Sequence, residues 1–66
     1  MFYKIYRVNG IRKYYSGCYD GVPHFSVNKR NGVLISASDI EKTLAHLRIL
    51  QKDKIHHIEI INSIPQ

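Results

Sequence analysis

Sixty-six residues suffice for one small domain, here residues 1–66, and a domain of that size buries only about 60% of its unfolded surface. The single cysteine, Cys18, excludes a disulfide within the chain, and no apolar run approaches the roughly 20 residues that span a bilayer. Ten Lys and Arg against five Asp and Glu leave a net charge of +5, which favours nucleic acid, an acidic protein surface or a small anion as partner.

Residues 2–17 read as a hairpin crowded with tyrosine and basic residues, with Asn9-Gly10 at its turn. Asn-Gly is the favoured pair for a two-residue type I′ turn, whose twist matches that of the strands it joins. That loop sets Val8 against Ile11, Arg7 against Arg12, Tyr6 against Lys13, Ile5 against Tyr14 and Lys4 against Tyr15. One face then carries Phe2, Lys4, Tyr6, Val8, Ile11, Lys13 and Tyr15; the other carries Tyr3, Ile5, Arg7, Arg12 and Tyr14. Opposed arginines repel across a strand pair. They point to an anionic partner, or to two heads splayed into water.

Asp20-Gly21 is a second turn signal, and Pro23 argues against a central strand there. Phe25 and Val27 alternate with His24 and Ser26 in a short strand. Residues 28–32 form a third turn with Lys29 and Arg30 at its tip, and Val33-Leu34-Ile35 reads as a buried strand.

Ser38-Asp39-Ile40-Glu41 matches the capping box, in which serine and glutamate satisfy each other's backbone amides. It opens a helix over residues 39–51 whose apolar stripe is Ile40, Leu44 and Leu47, with Thr43 and Leu50 on a margin. Ile49 falls on the polar side and is expected beneath the loop that follows. Residues 55–62 read as a last strand, apolar on both faces, with Pro65 ending the domain. The fold class is α+β: an antiparallel sheet of four or five strands, one helix on one face, and the final strand beside the first. A single helix leaves the other sheet face open to a partner or a second copy, so self-association is an expectation.

Catalytic signatures are missing: no phosphate-cradling glycine loop, no HExxH and no nucleophile elbow occur. Asp20, Asp39 and Glu41 have turn or capping duties; Cys18 with a histidine would make a nucleophilic pair, but a single loop cysteine in so short a chain is more often incidental. His56 and His57 are adjacent on a strand and point to opposite faces, and no ligand set reaches the four donors of a structural zinc site. The expectation is a binding protein with no enzyme activity, cofactor or metal. Its candidate contact residues are Lys4, Tyr6, Arg7, Arg12, Lys13, Tyr14, Tyr15, Lys29 and Arg30. Tyrosine and arginine serve both protein interfaces and base stacking, so composition leaves an acidic protein surface and nucleic acid both open.

Several short segments resemble small accessory proteins encoded by tailed bacteriophages. They are Tyr15-Ser16-Gly17, Phe25-Ser26-Val27-Asn28-Lys29, Gly32-Val33, Ser36-Ala37-Ser38, Leu44-Ala45-His46-Leu47 and Ile58-Glu59-Ile60-Ile61. The chain departs from that pattern at Ile35, where a more polar residue is common, and in lacking a lysine-rich helix face. The resemblance implies a protein made in the cytoplasm of an infected bacterium. There it would bind and disable a host or defence macromolecule, either a bacterial protein or a nucleoprotein complex. A second similarity is to the three-strand-plus-helix DNA-binding arms of phage integrases, relative to which residues 55–61 are extra.

Overall fold

The computed structural model describes residues 1–61. Strand β1 (Phe2–Asn9) turns at Gly10 into β2 (Ile11–Tyr19), but with one residue of slip from the type I′ register. Asn9 stands across from Ile11, Val8 from Arg12, Arg7 from Lys13 and Tyr6 from Tyr14. Only Gly10 (φ 77°) takes a positive φ at this turn; Asn9 does not, so one of the two positive angles of a type I′ turn is missing. The consequence is a change of face for every β2 side chain near the turn. Arg12 and Tyr14 join Lys4, Tyr6 and Val8, while Lys13 joins Tyr3, Ile5 and Arg7. The arginine-against-arginine pair is thereby replaced by Arg7 against Lys13.

The type I′ geometry occurs one turn later, at Asp20 (φ 53°) and Gly21 (φ 76°), where β2 passes into β3 (Val22–Ser26). Between Tyr15 and Gly17 the register against β3 shifts, leaving Ser16 as the extra residue of a bulge, a feature that bends a strand. Strand β3 is an edge strand, which accommodates Pro23. A single 3₁₀ turn, Lys29–Asn31, follows, started by the Asn28 side chain accepting from the Arg30 amide at 3.0 Å.

The expected buried run at Val33-Leu34-Ile35 shrinks to a two-residue strand, β4 (Ile35–Ser36); only Ile35 is buried, and Val33 and Leu34 remain exposed. Strand β5 (His57–Ile61) pairs with β1 antiparallel, as the free edge of the first strand suggested. All pairings are antiparallel, giving a five-stranded sheet with neighbours β3-β2-β1-β4 and β5 also on β1. Phe2 and Tyr3 pair with both β4 and β5, so those two strands occupy opposite edges of β1. Asn62 and Pro65 lie outside the described residues.

Helix α1 (Ile40–Leu50) packs its expected stripe, Ile40, Leu44 and Leu47, onto Ile5, Tyr15 and Ile35, with Tyr3, Cys18 and Phe25 around them. Leu47 and Ile5 are wholly buried, each contributing about 1.5–3 kcal/mol by burial. Cys18 therefore acts as a small packing residue rather than a loop thiol. The capping box is absent. Asp39 is the N-cap and makes no side-chain cap bond, and the Ser38 hydroxyl pairs with Ser36 Oγ at 3.0 Å. Ser36 also donates to Asp39 Oδ2 at 3.1 Å, so the serines brace the loop instead of the helix end. Ile49 is 76% exposed; no loop covers it.

Candidate functional site

The slip in register sorts the nine candidate residues into two groups on opposite faces. Lys4, Tyr6, Arg12, Tyr14 and Lys29 gather on the face away from the helix; Arg7, Lys13 and Tyr15 stand on the helix side; Arg30 sits exposed in the 3₁₀ turn.

On the helix-free face the groups satisfy one another. Glu59 reaches this face because β5 sets it across from Lys4. Its carboxylate accepts from the Tyr14 hydroxyl at 2.8 Å, is ion-paired with Lys29, and lies 3.5 Å from Arg12 Nη1. These donors hold the Glu59 carboxyl below the usual carboxylate range, Lys29 first and Tyr14 next. The Arg12 guanidinium lies 4.1 Å from the Tyr6 ring centroid, and Tyr6 stacks on His57 at 5.1 Å. Lys4 Nζ donates to the Lys29 carbonyl at 2.8 Å, strapping the 28–32 loop across the sheet. Gly32 passes so near that a Cβ there would lie 3.1 Å from Tyr14 Cβ. Tyr14 is consequently only 6% exposed, and the expectation of a wholly uncovered sheet face is corrected: a loop roofs its centre.

Tyr15, 8% exposed, belongs to the core beneath the helix. Neither Tyr14 nor Tyr15 presents a ring on which a base could stack, which corrects their assignment as surface contacts. For Tyr15 the cause is the one-residue slip, and for Tyr14 it is the loop that passes over its face; the Asn-Gly signal carries neither.

On the helix side, Arg7 is held but not neutralised. Its guanidinium lies 3.9 Å from the Phe25 centroid and donates from Nη1 to Gln51 Oε1 at 3.2 Å. Gln51 Oε1 also accepts from His56 Nε2 at 3.1 Å, an arrangement that puts a proton on Nε2. Burial holds His56 below its usual imidazole value, and the positive charges of Arg7 and Arg48 add to that effect. Directly across from Arg7 stands Lys13. Among the described residues neither has an ion-pair partner. Both line a cleft of about 400 Å³ between the hairpin tip and the segment after the helix, walled by Ile11 and Ile55 and by the weak Asp53–Lys54 pair.

Glu59, Gln51 and His57 belong to the candidate site although the sequence did not mark them as contact residues. The antiparallel placement of the last strand beside the first was the available signal for Glu59, since that pairing brings it onto Lys4. No group of three or more His, Cys, Asp or Glu that could hold a metal ion occurs among the described residues, and no helix there is long and apolar enough to cross a membrane. No family model, curated protein or solved structure matches the chain.

Proposed function

We propose that this is a non-catalytic binding protein that attaches to, and modulates or inhibits, a bacterial macromolecule through an acidic surface of that partner. One observation carries the reading: the cations of the two faces are treated differently. Arg12 and Lys29 close onto Glu59, whereas Arg7 and Lys13 oppose each other with no carboxylate of their own. Like charges held across a strand pair are unfavourable in the isolated protein. An acidic partner converts that repulsion into attraction and also steers its approach. The likeness of the short segments to tailed-phage accessory proteins supports a host or defence component as the partner, and the bacterial cytoplasm as the place of encounter.

The burial of Tyr14 and Tyr15 weighs against the nucleic-acid alternative, because it removes two of the rings that would stack bases. Affinity capture from bacterial lysate, with and without nuclease, tests the proposal. The expected result is one specific protein retained at physiological salt after nuclease treatment. Retention that vanishes with nuclease contradicts it, as does oligonucleotide binding with a log–log salt slope of roughly −3 to −5, the value for four to six phosphate contacts.

A further inference from the structure

We infer that the cleft at the hairpin tip is a seat for an acidic-aliphatic peptide segment, its carboxylate held between Arg7 and Lys13 and its apolar neighbours against Ile11 and Ile55. The inference rests on the binding function proposed above and names the partner's chemistry and its place on the molecule.

Three features of the cleft converge. Its charge is lopsided: Arg7, Lys13 and Lys54 face a single carboxylate, Asp53, which already stands 3.9 Å from Lys54. Its walls carry exposed apolar side chains, since Ile11 and Ile55 are each more than half exposed. Its principal cation is pre-organised, because stacking on Phe25 and the bond to Gln51 fix the Arg7 head before any ligand arrives. Fixing a side chain in advance removes an entropic penalty from binding. Arginine's planar fork also has donors left over for a carboxylate once one is engaged by Gln51.

The helix-free face lacks this combination. Its cations are taken up by Glu59, by an aromatic ring or by a backbone carbonyl, and a ligand there would have to displace contacts that hold the 28–32 loop. A volume of about 400 Å³ lies within the range of roughly 300–1,000 Å³ found for ligand-binding clefts. Alternating carboxylates and aliphatic groups suit such a lining better than a phosphate chain. A phosphate chain would leave Ile11 and Ile55 in contact with water.

The test titrates the ¹⁵N-labelled protein with a blocked hexapeptide of alternating glutamate and leucine, and with its glutamine counterpart, following amide and arginine side-chain shifts. Shifts confined to Arg7, Val8, Ile11, Lys13, Lys54 and Ile55, with the glutamine peptide about tenfold weaker or silent, are expected. Lys13→Glu places a carboxylate across from Arg7 in the ligand's stead. It should abolish peptide binding while raising the urea midpoint, so lost binding cannot be ascribed to lost folding. Shifts that map instead to Lys4, Tyr6 and Arg12 overturn the inference, as does a glutamine peptide binding equally well. Displacement of the peptide by equimolar oligothymidylate at physiological salt overturns it in favour of nucleic acid. If Lys13→Glu loses the peptide but still captures the wild-type partner from lysate, the cleft is not that partner's seat, and the broader binding function stands without it.

Discussion

Tyr14 and Glu59, 45 positions apart in the chain, are joined by a 2.8 Å hydrogen bond in which the phenol donates to the carboxylate. The bond spans β1, tying the hairpin's second strand to the last strand of the fold. It also anchors the carboxylate that Lys29 and Arg12 share, so one glutamate links β2, β5 and the loop that roofs the sheet.

Tyr14→Phe keeps the buried ring and removes a hydroxyl that donates to Glu59 and accepts from Arg12 Nη1 at 3.4 Å. A hydrogen bond to a charged group contributes about 1.5–3 kcal/mol, and the low end applies because Arg12 and Lys29 remain on Glu59. Urea unfolding should show a loss near 1.5 kcal/mol. An unchanged midpoint would mean that the bond adds nothing to folding.

Acid should destabilise the protein in two stages. His56 lies below its ordinary value of 6.5 through burial and the nearby positive charges, so the unfolded chain takes up the proton first as pH falls past that value. The stability His56 contributes is therefore full above pH 6.5 and is lost on acidification through its folded pKa. Glu59, held down by Lys29 and Tyr14, contributes fully above about 4.5 and loses that contribution at lower pH. Thermal midpoints measured from pH 7.5 down to 3 check both steps. His56→Gln should flatten the first, and Glu59→Gln the second.

At the start of the helix the serines brace a loop and cap nothing. Ser38→Ala should leave stability within about 0.5 kcal/mol, as for an exposed substitution that breaks no cap. Leu47→Ala empties a fully buried site and should cost about 2–5 kcal/mol, enough to unfold much of a domain this small. Side-by-side urea curves separate the two. A substantial loss with Ser38→Ala would restore the capping box.

The sequence carried the elements better than their registration. The stripe Ile40, Leu44 and Leu47, the edge position of Pro23 and the docking of the last strand on the first follow from periodicity, from proline's missing donor and from a free edge. The hairpin register did not follow, because Asn-Gly is compatible with more than one loop length and a slip of one residue exchanges the faces. That slip alone moved Arg12 onto Tyr6 and left Arg7 facing Lys13. The bulge at Ser16 and the close pass of Gly32 over Tyr14 depend on tertiary packing, which no local pattern encodes. The candidate surface was thus visible as a basic, tyrosine-rich hairpin. Which of its cations are free was legible only once Glu59 had a place.

Relief of the opposed pair has its own signature in the free protein. Lys13→Glu exchanges repulsion with Arg7 for attraction, and cross-strand charge pairs are worth roughly 0.2–1 kcal/mol. The variant should unfold at higher urea than the wild type, and the gain should shrink in high salt. A variant no more stable than the wild type would mean that the two heads already avoid each other in water.

Capture of the bacterial partner by two variants of equal charge tests the central claim most directly. Lys13→Glu and Lys42→Glu each change the net charge by the same amount, one at the hairpin cleft and the other on the exposed helix side. The account predicts that Lys13→Glu loses the partner held by the wild type while Lys42→Glu retains it. Equal retention by both variants would contradict a partner seat at the cleft, and equal loss would contradict its being local to the cleft.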